Sequence, residues 1–178
     1  MLFDTGGGSP TLLSNMARLS FDPPAIDAVV LSHSHDDHVG GLMGLLETGA
    51  RPTVYVPATF PTSFKDGVRA RTDLVEITGP AEILPGLYTT GGVDAGLAGA
   101  GIVEQALVVE TGDGLVVVTG CAHPGIVEMV RRAQEAAGGE MALVMGGSHL
   151  EDTGQAQIER IIADLRALGV HMYKIKDI

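Results

Sequence analysis

The sequence predicts a mixed α/β fold in one globular domain, and three observations support this. Short β-branched runs alternate with segments of helical periodicity along most of the chain. Strands are expected in both hairpin and β-α-β arrangements, which implies a mixed sheet with helices packed outside it. The 178 residues, of which 45% are hydrophobic, match the usual size of one domain with a sizeable core. We therefore expect residues 1–178 to form a single domain.

In the N-terminal part, a helix, a strand and a second helix are expected in turn. Ser9 is the expected N-cap of a helix over residues 11–19, with Pro10 at its first position. The aliphatic run 28–31 is short and β-branched, as in a buried strand, and it ends directly at a histidine-rich loop. Residues 39–46 carry apolar side chains at helical spacing, although three glycines lower the helix propensity.

The rest of the chain predicts further strands and two helices. Strands are expected over residues 53–56, 74–77, 82–84 and 87–90, and a hairpin is expected to pair residues 106–111 with 115–119 through the turn Gly112-Asp113-Gly114. A helix over residues 126–137, a strand over 141–145 and a helix over 155–168 complete the order, with Gly169 ending the last helix. Nearly every candidate polar site follows a strand, where α/β proteins tend to bind ligands.

Charge and cysteine content exclude several classes of function. Acidic residues number 22 and basic residues 11, so the surface repels phosphate backbones and anionic lipid headgroups. We expect a small-molecule substrate as partner, with no nucleic acid and no membrane, and the sequence does not indicate an oligomeric state. The single cysteine, Cys121, and the lack of a signal peptide or membrane span fit a cytoplasmic protein.

The segment His33-Ser34-His35-Asp36-Asp37-His38 predicts a metal-binding loop. Side chains alternate along an extended segment, so His33 and His35 point to the same side and can bind one ion, for which zinc is the expected metal. Asp37 and His38 follow where the loop turns into a helix and can begin a second site, as in two-metal hydrolases. The alternative is a solvated polar turn, but half of the chain's six histidines fall within these six positions.

The pattern H-x-H-x-D-H from His33 to His38 resembles the signature of the metallo-β-lactamase superfamily. The segment Leu2-Phe3-Asp4-Thr5-Gly6 is similar to the family's strand-end aspartate that supports the metal loop. The fold that this resemblance implies is an αββα sandwich with mixed sheets. The segments 119–125 and 146–150 look like the branch named for the dihydropterin ribofuranosyl-aminobenzene phosphate synthase, many members of which are described only as metal-dependent hydrolases.

The resemblance also implies a ligand set. His33 and His35 would hold the first metal, and Asp37 and His38 the second, while Asp37 could orient or deprotonate the attacking water. The implied cofactor is zinc, as one or two ions, with manganese, iron or nickel as alternatives.

The sequence departs from the family pattern after the strand that ends near Gly120. The family usually places a bridging aspartate there, whereas this chain has Cys121, with His123 two residues on. Cys121 is either a ligand or a small residue packed at a strand end, and His123 is favoured as a ligand. His149 is a candidate for substrate binding or proton transfer, or a loop histidine bonded to backbone. The family's upstream metal histidine is not visible, although Glu104 and Gln105 could approach the site.

The chain ends also differ from the family. Relatives carry a strand or two before the segment that matches Leu2-Phe3-Asp4, and they close with a strand and a further metal histidine. This sequence starts at that segment and ends Gly169 to Ile178, where His171 falls inside the expected strand as an ordinary strand or surface residue. These differences suggest a truncated or divergent member whose sandwich lacks edge elements.

Three functions follow as hypotheses. The first is a zinc-dependent hydrolase acting on a small ester, thioester, lactone or phosphate. The second is a transferase that joins a pterin diphosphate to an aminobenzene riboside phosphate. A central basic cluster on a loop, Lys65, Arg69 and Arg71, could supply its anion pocket, and the alternative is that these are solvated loop charges. The third is an inactive truncated paralogue that binds metal structurally or not at all.

Overall fold

A computed structural model describes residues 1–96, 101–151 and 153–175. The chain divides into two compact units, Met1–Ile77 and Thr78–Ile178. The predicted mixed α/β class is confirmed, since helices alternate with strands of both parallel and antiparallel sheets. None of the helices within the described residues has the length and apolar composition needed to cross a bilayer.

The first unit is a four-stranded parallel sheet with its helices in the connections. Its elements are β1 (Leu2–Phe3), α1 (Ser9–Arg18), a 3-10 turn (Pro23–Ala25), β2 (Ala28–Val30), α2 (Asp36–Val39), α3 (Leu42–Glu47), β3 (Thr53–Pro57), α4 (Thr62–Arg69) and β4 (Leu74–Ile77). The strand order is β1-β2-β3-β4, and every neighbouring pair runs parallel. Parallel strands end at the same edge, so the segments after β1 and β2 lie side by side.

The core of this unit explains why its strands are so apolar. Val29 and Val54 are paired neighbours in β2 and β3, and both are fully buried. They pack in one cluster with Leu42 and Leu45 of α3 and with Met16 of α1. Burial of side chains of this size contributes about 1.5–3 kcal/mol each, so the strand before the histidine loop is firmly anchored.

Two predictions about helices in this unit were wrong. Ser9 is not the N-cap of α1, because Gly8 takes that position in an extended conformation, so that Ser9 and Pro10 open the helix. The expected helix over residues 39–46 is interrupted at Gly40 and Gly41, which separate α2 from α3. The amide of Gly41 donates instead to the carbonyl of Gly6, 3.1 Å away. The amide that would continue the helix is therefore bonded to the loop after β1 instead.

The second unit contains a mixed six-stranded sheet and two longer helices. Its elements are β5 (Ala81–Leu84), β6 (Leu87–Thr89), β7 (Val93–Asp94), β8 (Val103–Glu104), β9 (Leu107–Thr111), β10 (Gly114–Thr119), α5 (Ile126–Ala137), β11 (Met141–Gly146), α6 (Gln155–Ala167) and β12 (Tyr173–Ile175). The order is β12-β11-β10-β9-β6-β5, with β10, β11 and β12 parallel and the remaining pairs antiparallel. The strands β7 and β8 pair separately.

The predicted hairpin and both predicted helices of this unit are confirmed. β9 and β10 pair as expected, and α5 spans the predicted residues 126–137. Met129 and Val130 of α5 and Leu165 of α6 belong to the same buried cluster as Val117 of β10. His171 precedes β12 and is exposed, so its expected position inside the strand was wrong and its alternative as a surface residue is confirmed.

Candidate metal site

Asp4 links the end of β1 to the end of β2. It has a left-handed backbone with a φ of 55° and donates its amide to the carbonyl of Val30 at 2.9 Å. Its carboxylate accepts hydrogen bonds from the amide and the hydroxyl of Ser32, each at 2.7 Å. The unusual backbone at Asp4 therefore turns the carboxylate toward the histidine loop.

His38 is held in place by the Asp4 carboxylate and by Thr5, the residue that follows Asp4. Its Nδ1 lies 2.7 Å from Oδ2 of Asp4, and its carbonyl accepts hydrogen bonds from the amide and hydroxyl of Thr5 at 2.7 and 3.0 Å. A carboxylate can only accept, so Nδ1 carries the proton and Nε2 carries the lone pair of the neutral ring. Histidines that bind metal commonly have this outer carboxylate, which fixes the tautomer and raises the basicity of the ligand nitrogen.

His33 and His35 bring two ring nitrogens together. His33 is fully buried, its Nδ1 lies 2.9 Å from the hydroxyl of Ser32, and its Nε2 lies 3.1 Å from Nδ1 of His35. Zinc–nitrogen bonds of about 2.0–2.1 Å place two tetrahedral ligands about 3.3 Å apart. The nitrogen separation thus fits two ligands of one ion.

Asp37 and His38 form a second pair of donors at a similar separation. Oδ2 of Asp37 lies 3.3 Å from Nε2 of His38, and the Asp37 side chain is 57% exposed. The rings of His33 and His38 are 4.2 Å apart, so the two pairs are neighbours. Asp36 is exposed. Nitrogen and carboxylate donors in this arrangement are the ligands that zinc and related divalent metals use in proteins.

In the second unit, Cys121 and His123 lie in the loop after β10, and Glu104 of β8 reaches them. The Glu104 carboxylate is buried, and its Oε2 lies 2.9 Å from Nδ1 of His123. The expectation that Glu104 could approach the candidate ligands is met here, whereas the Gln105 oxygen accepts a hydrogen bond from Thr89 at 2.6 Å. Cys121 is half-buried. Its assignment and that of His123 as ligands stay predictions from the sequence.

His149 lies beside His123, on the loop after the neighbouring strand β11. Gly147 donates its amide to the carbonyl of Gly120 at 3.0 Å, which joins the two loops. A Cβ on Gly147 would come within 2.3 Å of that same oxygen, so only glycine allows this approach. The His123 and His149 rings are 4.7 Å apart, and both line a cleft of about 370 Å³ beside the start of α5.

The proposed basic cluster does not form an anion pocket on a loop. Lys65 and Arg69 lie in helix α4, and both make ion pairs with Glu76 of β4; the lysine contact is 2.8 Å. Arg71, just after that helix, donates to the carbonyl of Gly67. The expected position on a loop was wrong for Lys65 and Arg69, because both lie in a helix that places them against an acidic strand residue.

Two supporting residues could not be assigned from sequence reasoning. Ser32 contacts both Asp4 and His33, although as a lone serine after a strand it carries no pattern of its own. Glu104 was named only as a residue that could approach the site, because its partners lie 17 to 19 positions later in the chain. The signal available in the sequence was an acidic residue within the largely apolar run of residues 102–109.

Comparisons with known proteins agree with this description. The family model of the metallo-beta-lactamase superfamily matches residues 1–160. The chain is 31% identical to the 7,8-dihydropterin-6-methyl-4-(beta-D-ribofuranosyl)-aminobenzene-5'-phosphate synthase of Methanocaldococcus jannaschii, over 96% of this chain and 72% of that protein. A crystal structure of a metal-dependent hydrolase of the beta-lactamase superfamily matches with a TM-score of 0.77 and 26% identity, over 97% of this chain and 75% of the other. The short form of human tRNase Z shares the fold, with a TM-score of 0.59 and 14% identity over 98% and 84% of the two chains.

Proposed function

Because the chain belongs to the metallo-beta-lactamase superfamily, we propose that it is a metal-dependent hydrolase whose metal is held by the loop from His33 to His38. The observation that carries this proposal is the geometry of that loop. It holds two pairs of donor atoms, 3.1 and 3.3 Å apart, with the carboxylate of Asp4 behind His38. The metal-dependent hydrolase of similar structure supports the same reaction class.

The residues fit a divalent metal, with zinc as first choice and manganese, iron or nickel as alternatives. His33 and His35 would hold one ion, and Asp37 and His38 a second. When bound, such an ion supplies Lewis acidity, which makes water more acidic and stabilises negative charge on a substrate oxygen. The buried rings of His33 and His38 and the contacts of Asp4 keep these donors in place before any ion binds.

Asp37 and His149 are the proposed groups for proton handling. Asp37 is the more exposed member of its donor pair, so its carboxylate can accept a proton from water. His149 is exposed and lines the cleft beside His123, where it can exchange a proton with solvent. We assign that cleft to a small ester, thioester, lactone or phosphate, because about 370 Å³ lies within the range of small-molecule sites.

Turnover of aryl ester, thioester and phosphodiester substrates by metal-loaded protein tests the hydrolase. Asp37→Asn should lower kcat by at least about 100-fold, because it removes both the proton acceptor and a donor for the second ion. Asp36→Asn is the matched control, since Asp36 is exposed in the same loop, and it should leave kcat within a few-fold. Turnover that survives both metal removal and Asp37→Asn would contradict the proposal.

A second candidate is a synthase-type transferase, favoured by the 31% identity to the aminobenzene-phosphate synthase across 96% of this chain. Against it, Lys65 and Arg69 are paired with Glu76 and do not supply the anion pocket that the sequence suggested. Diphosphate release from a pterin diphosphate, measured with and without the aminobenzene riboside phosphate, separates the two. Release that depends on the second substrate, with no turnover of the hydrolase substrates, would replace the hydrolase by the transferase.

A further inference from the structure

In the second unit, the carboxylate of Glu104 accepts hydrogen bonds from three consecutive backbone amides. Its Oε1 accepts hydrogen bonds from the amides of Cys121 and Ala122 at 2.9 and 2.8 Å, and its Oε2 accepts one from the amide of His123 at 2.9 Å. Ala122 has a left-handed backbone with a φ of 57°, which directs these consecutive amides to one side. Such a concave set of amides binds anions. Here the anion is a side chain of the same protein.

The same carboxylate also determines the state of the His123 ring. Oε2 lies 2.9 Å from Nδ1 of His123, and a carboxylate only accepts, so the neutral ring holds its proton on Nδ1. Nε2 then carries the lone pair. The ring is 7% exposed and lies 4.7 Å from the ring of His149, and both line the cleft of about 370 Å³.

A purely structural cap for this turn would not need a charge. Each of the two carboxylate oxygens accepts two of the hydrogen bonds described above. A glutamine of the same size has one acceptor oxygen, and its amide group would face donors or would itself donate to Nδ1. Burying an ionised carboxylate is costly before it is compensated, so the fully buried Glu104 is a demanding choice for a turn alone.

We propose that Glu104 is a positioning residue that holds His123 in the tautomer with a proton on Nδ1, so that Nε2 can bind a metal or accept a proton in the cleft. The second half of this inference rests on the proposed function, and the tautomer itself does not. Glu104 would act through His123 and would not touch the substrate.

Ring-nitrogen NMR of histidines in the metal-free protein tests the tautomer directly, with His123→Ala assigning the signals. We expect the Nδ1–H form of His123 in the wild type, and a shift toward the Nε2–H form in Glu104→Gln. Glu110→Gln is the matched control, because Glu110 is exposed on β9 of the same unit, and it should leave the tautomer unchanged. An Nε2–H ring in the wild type overturns the proposal even if Glu104→Gln fails to fold.

Zinc titration of the same proteins tests the functional half. Glu104→Gln should weaken zinc binding by about 10–100-fold, as loss of an outer carboxylate does elsewhere, while Glu110→Gln should not. If Glu104→Gln changes the tautomer of His123 but leaves the zinc affinity unchanged, the proposal that His123 binds the metal is overturned. If the wild type binds no zinc, the proposed function fails, whereas the NMR result still decides the tautomer.

Discussion

Asp4 connects the end of β1 to the histidine loop in the first unit. It contacts Ser32 twice and His38 once through its carboxylate, at 2.7 Å each. Charge-assisted hydrogen bonds of this kind are shorter and stronger than neutral ones. Asp4 thus holds the ring of the candidate ligand His38 in position.

Asp4→Asn should weaken metal binding by about 10–100-fold. An asparagine side chain can donate as well as accept hydrogen bonds, so it no longer fixes the tautomer of the His38 ring. The variant Asp22→Asn serves as control, since Asp22 is exposed in the same unit. Competition titration with a chromogenic chelator measures the affinity. Equal affinities for wild type and Asp4→Asn would show that the carboxylate does not support the site.

At the residue scale, the site residues that are adjacent in the sequence could be predicted, and those that contact distant positions in the chain were harder to predict. His33, His35, Asp37 and His38 stand together in the sequence, so their shared position followed from one strand end. Glu104 contacts residues 17 to 19 positions later, and Asp4 contacts Ser32 and His38 at separations of 28 and 34. Asp4 was predicted because the family resemblance includes it, whereas no local pattern indicated what Glu104 binds.

At the scale of elements, glycines allow α2 and α3 to approach the loop after β1. A Cβ on Gly41 would lie 2.2 Å from the carbonyl oxygen of Thr5, and one on Gly44 would lie 2.2 Å from Ser9. The three glycines that weakened the helix prediction are therefore required for packing. The close contact holds α2, which carries Asp37 and His38, against the segment that contains Asp4.

Gly41→Ala should destabilise the protein by about 2–3 kcal/mol, because the added methyl group forces the two segments apart. Gly67→Ala is a matched control within helix α4, where a Cβ would meet only the end of Met43 at 3.4 Å. The control should be neutral or stabilising by about 0.5–1 kcal/mol, since alanine favours helix more than glycine does. Urea unfolding compares the two, and an equal response would contradict the packing argument.

The attachment of α4 to β4 should depend on pH. The hydrogen bond from Lys65, and then that from Arg69, holds the pKa of Glu76 below its ordinary value of 4.5. A carboxyl group whose folded-state pKa is lowered stabilises the fold above its ordinary pKa and loses that contribution as the pH falls through the folded-state pKa.

Glu76→Gln should therefore lower the urea midpoint at neutral pH, and the difference from wild type should shrink at about pH 3. Glu47→Gln, an exposed change at the end of α3, should lower the midpoint little at either pH. If Glu76→Gln lowers the urea midpoint by the same amount at both pH values, the ion pairs do not contribute to stability.

Strong local patterns were predicted well and short or contact-dependent elements were not. The hairpin of β9 and β10 and the helix α5 follow from alternation and periodicity within their own segments. Helix α4 was not predicted, although Phe64 and Val68 have helical spacing. The strands β7 and β8, of two residues each, owe their existence to their pairing and leave no periodic signal.

At the scale of the whole molecule, charge limits the choice of substrate. The net charge of −11 repels polyanions, so the fold shared with human tRNase Z does not extend to a proposal of RNA as substrate. The absence of nucleic acid as a partner stays a prediction from the sequence, because net charge follows from composition and not from the fold. A small molecule remains the partner that the cleft and the charge both favour.

The central claim, that the loop from His33 to His38 binds metal, is tested most directly by metal analysis of the purified protein after zinc loading at neutral pH. The account predicts one to about two equivalents of zinc in the wild type, a large loss of bound zinc in the double variant His33→Ala/His35→Ala, and no change in His171→Ala, an exposed histidine outside the loop. The double variant should give a circular dichroism spectrum like that of the wild type, so that the loss reflects the ligands. A wild-type protein without bound metal, or a double variant that keeps its full content, would contradict the claim.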